Sequence, residues 1–426
     1  MKKPKSWYKR AFKTAVSPLK KYRRYKKFKV FKEKLLDNAR FIRDKIITIS
    51  GNKTNKVVYI VQESFFDFLG QNFFSGGGER YALDLADLLT DMGYIPILLQ
   101  NANPDIPVFF RTKNNLNVIG IPVYQTSFMG DMLKALPRAA LYIYSGVADF
   151  GQMHHPNVRI SHGVTWDVVK KNVENVHTLY DTFLKDTDMF ISVDTNTLSW
   201  FRSTFSQTVY QSGKKMYYIP NYVDLDKFKP IIRSDRPLKM TFPRRCSVER
   251  GYWETSAILP TLLTRHPNVL FEFIGFPCQE EIVQDLENLK RRFPTQISHR
   301  VVEGDKMPAV YQNTDICIIP TLHSEGTSLS CLEAMACGNT VIATNVGGLP
   351  NLILQGYNGI LINPDANELL TTLEKVISND VLRSELSENA IKTSRYFSKK
   401  IWKNRWHHIL QEILNENDSD YLGNAA

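Results

Sequence analysis

The sequence predicts an α/β protein of two Rossmann-like halves behind a basic helical leader. Three observations carry this. The chain has 426 residues, of which 43% are hydrophobic, enough for two or three domains with buried cores. Short apolar runs alternate with amphipathic stretches along both halves, the pattern of parallel strands with crossover helices. The positive charge is concentrated at one end.

Residues 1–45 hold 18 Lys and Arg against 3 acids, leaving 36 bases against 40 acids in the rest, so the net charge of +11 comes from the leader. The leader lacks an apolar run of signal-peptide length, and nowhere do apolar residues reach the ~20 that a spanning helix needs. Export and membrane insertion are therefore not expected. Aromatics from Trp7 to Phe41 are interleaved with the cations, and Pro18 divides the leader into two helical pieces. In the second piece Tyr25, Phe28, Phe31, Leu35, Ala39 and Ile42 recur at threes and fours. An apolar stripe flanked by cations suits an anionic membrane interface, which makes residues 1–45 a membrane contact and the protein a cytoplasmic, peripheral one at the inner face of the cell membrane. A disordered tail, a helix packed on the protein's own body and a nucleic-acid patch compete with that reading, and no nucleic-acid partner is expected. The five cysteines, Cys246, Cys278, Cys317, Cys331 and Cys337, form no CxxC pair and fit a reducing compartment.

Lys56–Gln62 reads as the first strand. It is followed by Ser75-Gly-Gly-Gly-Glu-Arg80 and by a helix carrying Tyr81, Leu83, Leu85, Leu88 and Leu89, which ends near Gly93. Strand, glycine loop and helix form a nucleotide-site layout, yet the loop lacks the GxGxxG spacing and its later acid, which argues against NAD. Further strands are expected at Ile95–Leu99, Asn117–Ile121, Ala140–Tyr144 and Val158–Ser161, the last leading into Ser161-His-Gly-Val-Thr-Trp166. His154 and His155 have no carboxylate or cysteine at ligand spacing, so no metal site is expected. Met189–Asp194 reads as a short apolar strand whose last residue begins the helix of Asn196, Trp200 and Phe201. Tyr218-Ile-Pro-Asn-Tyr-Val-Asp224 precedes a linker at 229–237.

The second half opens with Leu238–Cys246, and strands are expected at Asn268–Gly275, Arg300–Val302 and Ile316–Pro320. Its most informative segment is His323-Ser-Glu-Gly-Thr-Ser-Leu-Ser-Cys-Leu-Glu-Ala-Met-Ala-Cys-Gly338. The apolar run before it suits a buried strand, and Leu329, Leu332, Met335 and Ala336 fall on one helical face. Glu325 therefore lies in the strand-to-helix loop and Glu333 in the helix, with Ser328 a candidate N-cap. First-turn amides have no intrahelical acceptor, so Gly326, Thr327 and Ser328 are placed to offer N–H groups to a phosphate. The two carboxylates suit hydroxyl pairs, Glu325 on a sugar and Glu333 on a ribose. An ordinary βα unit with solvated glutamates has the same local pattern. Downstream lie the strand Thr340–Thr344, Asn345-Val-Gly-Gly-Leu-Pro350 and Asn358-Gly359, and Phe397–Leu410 is an aromatic helix.

Taken in order, GGGER, HG, IPNYVD, the Arg245/Arg250 pair, the spaced glutamates and NVGGLP with NG resemble the retaining GT-B glycosyltransferases of family 4, the group-1 glycosyl transferases, over about residues 56–415. With the basic leader taken as 1–50, that resemblance implies an acceptor domain at 51–225, a nucleotide-sugar domain at 226–396 and a helix at 397–426 that crosses back. It implies that Gly76, Gly77 and Arg80 face the donor's distal phosphate, that His162 lines the reaction centre, and that Arg245 and Arg250 meet the diphosphate. Gly326, Thr327, Ser328, Leu329 and Glu333 complete the donor side. One departure stands out, since Arg244 occupies the place of a family glycine. The implied activity is retaining transfer from a nucleotide diphosphate sugar to a glycan or lipid-linked glycan hydroxyl, without metal or cofactor, in envelope or capsule assembly. A glucan synthase or phosphorylase, or a catalytically inactive sugar-nucleotide-binding partner, are the alternatives.

Overall fold

A computed structural model of the chain describes residues 37–74, 76–123, 126–146, 148–163, 178, 180–182, 184–211, 213–232, 236–323 and 325–423, with side chains as far as 415. The leader's residues 1–36, Ser75, residues 164–166 and the linker's 233–235 lie outside them. By its contacts the chain divides into two units. One takes Gly93–Tyr142 and Ala148–His155 with the chain up to Phe73, and the other takes Phe74–Met92, Ile143–Val147 and Pro156–Ala426.

In the first unit, β1 (Val57–Gln62), β2 (Ile95–Ala102), β3 (Phe109–Lys113) and β4 (Leu116–Pro122) are ordered β3-β4-β2-β1. β1 pairs parallel to β2, and β2 parallel to β4. All six residues of β1 are buried, as expected of a strand covered on both faces. β3 is an addition to the sequence reading, an antiparallel edge strand joined to β4 through Asn114 and Asn115, which have φ 51° and 64°. Asparagine tolerates that left-handed conformation, and two such residues make the tight hairpin turn.

Residues 37–50 form a helix. Ala39 and Ile42, expected in a membrane-facing stripe, are 3% and 0% exposed, and Ile46 is buried with them. Over this stretch the stripe packs on the protein itself. The ring of Phe41, by contrast, is 58% exposed and 5.5 Å from that of Phe110 on β3.

In the second unit β5 (Leu141–Ser145, begun in the first), β6 (Asn157–Ser161), β7 (Met189–Ser192) and β8 (Lys215–Tyr218) follow in that order. β7 lies parallel to both β6 and β8. A second sheet holds β9 (Lys239–Phe242), β10 (Leu270–Ile274), β11 (Ile297–Arg300), β12 (Ile316–Ile319), β13 (Thr340–Thr344) and β14 (Ile360–Ile362) in the order β11-β10-β9-β12-β13-β14. Its neighbours are parallel throughout. The strand expected at Arg300–Val302 sits three residues earlier, and Val301 is exposed. The order is that of a doubly wound sheet, and its direction reverses between β9 and β12. Ligands of such sheets bind outside the carboxyl ends of the strands at that switch point. Arg244 and Arg245 follow β9, and Glu325 follows β12.

The expected chain crossings pair with each other. The Val223 N–H donates to Phe397 O at 2.8 Å, and the Lys399 N–H to Val223 O at 3.0 Å. The return helix, Lys399–Gly423, buries Trp402 and Trp406. Trp406 Nε1 donates to the Tyr81 hydroxyl at 2.6 Å, while Asp84 accepts from Lys399 Nζ at 2.6 Å and from the Tyr222 hydroxyl. The helix that follows the glycine loop is thereby fixed along its length.

Candidate functional site

Eleven of the twelve expected site residues line one cavity of about 690 Å³: Gly76, Gly77, Arg80, His162, Arg245, Arg250, Glu325, Gly326, Thr327, Ser328 and Leu329. The volume suits a ligand of nucleotide-sugar size. Glu333, the twelfth, is 5% exposed and lies beneath Arg80, whose two terminal nitrogens donate to Glu333 Oε1 at 3.1 Å each.

Glycines let the backbones meet here. A Cβ on Gly326 would stand 2.4 Å from His162 O, and one on Gly163 2.8 Å from the Gly326 nitrogen. Gly347, at φ 56°, would bring one within 2.2 Å of Glu325 O. The Gly348 N–H donates to that same Glu325 oxygen at 2.8 Å. The HG, EGTS and NVGGLP segments thus pack main chain on main chain, which accounts for their shared glycines. Thr327 is pinned from both ends, its hydroxyl to Val193 O and its carbonyl to Asn221 Nδ2, the latter at 2.6 Å. Asn221 comes from the IPN of the crossing and also lines the cavity. As expected, Ser328 caps the helix Leu329–Ala336, with its Oγ accepting from the Cys331 N–H at 3.4 Å.

Across the cavity the helix Gly77–Asp91 starts at the glycine loop, with Gly76 as N-cap. Gly77 packs so closely on Leu329 that a Cβ would stand 3.0 Å from its Cδ1. Glu79 folds back on this N-terminus. Burial pushes its carboxyl up, opposed by the Glu79 and Gly76 amides and by the nearby Arg245 charge. The EGTS helix start faces the same space with its own first-turn amides, whereas at the glycine loop the Glu79 carboxyl takes those of Gly76 and Glu79.

The cations are divided differently from the expectation. Arg244, in the place of the family glycine, has an 8% exposed side chain and donates from Nη2 to Glu325 Oε2 at 2.7 Å, with Nη1 on the Thr321 hydroxyl. Arg250 Nη1 donates to the same Glu325 oxygen at 2.6 Å, and the Thr321 hydroxyl donates to it at 2.9 Å. Arg245 instead is exposed on the cavity wall. Its neighbour's buried role was missed because a doubled arginine reads as surface charge. The only sequence signal was the missing glycine. The Nε of Arg244 is buried with no partner among the described residues.

Two carboxylates eight residues apart are thereby set differently. Burial works against the charge of Glu325, yet the Arg244 and Arg250 guanidiniums with the Thr321 hydroxyl hold its carboxyl below the usual range. Burial dominates at Glu333 and pushes its carboxyl up, although Arg80 and Tyr311 oppose it. A buried carboxylate stripped of such partners would cost several kcal/mol, about 3–5 in known cases. His162 is driven down to about 4 by burial and is neutral at pH 7. Its Nε2 lies 2.9 Å from Ser145 Oγ, and its ring stands edge-on to Tyr81 at 5.2 Å. Among the described residues no group of three or more His, Cys, Asp or Glu gathers as a metal site would require.

The arrangement can hold an anion against the EGTS helix start and the arginines, with the Glu325 carboxylate beside it and Glu333 beneath Arg80. Residues 225–393 match the family model of glycosyl transferases group 1. An uncharacterized glycosyltransferase of Methanocaldococcus jannaschii is 36% identical over 95 residues, 22% of this chain and 27% of that one. The chain spans less than half the length of such curated relatives. Sucrose-phosphate synthase from Thermosynechococcus elongatus superposes with a TM-score of 0.66 at 16% identity, covering 85% of this chain and all of the other. The Anabaena protein HepE, solved with UDP and glucose, does so at 0.63 and 15%, over 84% of this chain and all of its own. At that identity the likeness establishes the fold, two Rossmann-like α/β domains as in GT-B structures. Over residues 225–393 the chain is similar to the group 1 glycosyl transferases.

Proposed function

We propose that the protein is a retaining glycosyltransferase that moves a sugar from a nucleotide diphosphate to a hydroxyl of a glycan or lipid-linked glycan. The observation that carries this is the joining of the glycine loop, the EGTS helix start, Arg245 and Arg250 in one cavity at the switch point of the second sheet. A diphosphate leaving group gathers negative charge as the glycosidic C–O bond breaks, and fixed amides and guanidiniums stabilise it there. In this reading Glu333 holds the ribose hydroxyls, and Glu325 holds hydroxyls of the transferring sugar while it orients Arg244 and Arg250. Gly76, Gly77 and Arg80 close on the distal phosphate, Leu329 flanks the donor, and His162 offers a neutral ring to the sugar. The leaving phosphate takes the acceptor's proton on the face from which it departs, so the anomeric configuration is kept and no side-chain nucleophile is needed.

The donor domain in this proposal is 226–396 and the acceptor domain 51–225. The donor's charge is met by the protein alone, without a metal ion. HepE's complex with UDP and glucose supports the donor class. The basic leader supports action at an anionic membrane, in cell-envelope or capsular polysaccharide assembly. Incubation with a panel of nucleotide sugars and glycan acceptors tests it. Nucleoside diphosphate release matched by a product heavier by one sugar residue is expected, whereas nucleotide binding without transfer would favour an inactive sugar-nucleotide-binding partner.

A further inference from the structure

A hairpin tip in the first unit is built to display apolar side chains. Phe66 and Phe73 form an antiparallel bridge, and the turn between them is organised by Asp67. Its carboxylate accepts from the backbone N–H groups of Leu69 at 3.1 Å, Gln71 at 2.8 Å and Asn72 at 3.0 Å, and from Asn72 Nδ2 at 2.7 Å. Those bonds, the Gln71 amide foremost, hold the Asp67 carboxyl below its usual range. Gly70, at φ 70°, lies so close to β3 that a Cβ would stand 2.8 Å from the Phe109 ring. Arg111 Nε donates to Gly70 O at 2.6 Å. A turn held this firmly commonly presents polar residues to water. This one presents Phe68 and Leu69, which are 57% and 47% exposed.

Two cations flank the tip. Arg111 and Lys113 project from β3 on the side of the turn, the first over the Phe109 ring and the second 4.6 Å from the Phe73 centroid. On the opposite face of β3, Phe110 carries Lys45 at 5.8 Å and the exposed Phe41. Lys45 and Phe41 belong to the helix 37–50, so the segment that holds a net +15 joins the fold beside this edge strand. The one acid in the turn, Asp67, is kept ionised by the turn's own amides, and Arg111 and Lys113 outnumber it.

We propose that the Phe68–Leu69 tip, flanked by Arg111 and Lys113, inserts into an anionic lipid surface. Two apolar side chains enter the acyl boundary while the cations on β3 meet headgroups, the geometry in which burial and charge act together. The inference is separate from the donor site and from the leader's own attraction, since every contact lies in the folded first unit.

The test uses the full chain with vesicles of phosphatidylglycerol and phosphatidylcholine in equal parts, bearing brominated acyl chains. The emission gained in Phe68→Trp should be blue-shifted and quenched, and that gained in Tyr396→Trp, a 71% exposed position in the other unit, should not. Phe68→Asp with Leu69→Asp should weaken vesicle binding at least about tenfold, while Tm and nucleotide binding stay unchanged because neither residue lines the cavity. Vesicle binding with Phe68→Trp unquenched and the double variant unimpaired would assign attachment to the leader alone and overturn the proposal. So would a concentration-dependent dimer lost in the double variant with vesicle affinity unchanged, which would make the tip an interface between copies. Absence of binding by the full chain would overturn both membrane assignments.

Discussion

Glu325 and Glu333 are the same residue type on one strand–loop–helix unit, and their surroundings set them apart. Glu325 sits in the loop where two guanidiniums and a hydroxyl converge on one oxygen, and it keeps its charge despite burial. Glu333 sits inside the helix with a single arginine, and burial raises its carboxyl. The difference teaches that sequence spacing places two carboxylates on one side of a cavity, while partner cations decide which is locked and which is poised to exchange its partner. In the proposed reading a ribose replaces Arg80 as the neighbour of Glu333, whereas Glu325 retains its arginines throughout.

The largest effect should come from the cation that neither glutamate holds. Arg245→Glu places an anion on the open cavity wall, and kcat/KM should fall by about a thousandfold. Steady-state kinetics with saturating acceptor reads this directly, and turnover near wild type would remove Arg245 from the diphosphate. Next, Glu325→Gln should lower kcat about a hundredfold with little change in donor KM, because it weakens contacts made to the reacting sugar and loosens Arg250. Glu333→Gln should do the reverse, raising donor KM about tenfold with kcat nearly unchanged. Equal effects of the two substitutions on kcat and KM would erase the distinction between them.

Acid sharpens the comparison further. Glu333, raised above 4.5, gains its proton first as pH falls, and Glu325, held below it, keeps its charge longer. Donor KM should therefore rise at a higher pH than that at which kcat falls. His162, at about 4, should add no inflection near its ordinary value of 6.5. Separate pH profiles of kcat and kcat/KM check both statements, and the opposite order would contradict them. The smallest effect is expected from EDTA, which should leave turnover within about twofold because amides and arginines meet the diphosphate.

The strand–loop–helix unit was legible because β12 is wholly apolar, Ser328 is a capping residue and the helix keeps its period. The glycines of HG, EGTS and NVGGLP were legible as a succession, but not why they recur. That required seeing three main chains meet at distances no Cβ permits. The inward turn of Arg244 onto Glu325 was not legible, since adjacent arginines on a loop differ only in which one the β9 exit turns inward. β3 escaped the reading because Phe109–Lys113 mixes aromatics and cations as an edge strand does, and only Asn114-Asn115 signalled its turn. The fate of Ala39 and Ile42 was open for a related reason: an apolar stripe specifies burial without specifying what buries it.

Calorimetric titration of UDP, GDP, ADP and TDP into the wild-type protein, Glu325→Gln and Glu333→Gln, in buffer containing EDTA, reaches the central claim most directly. One nucleoside diphosphate should bind the wild type and Glu325→Gln with similar affinity and Glu333→Gln about tenfold more weakly. Binding of none of them, or binding that Glu333→Gln leaves untouched, would contradict the assignment of this cavity to a nucleotide-sugar donor.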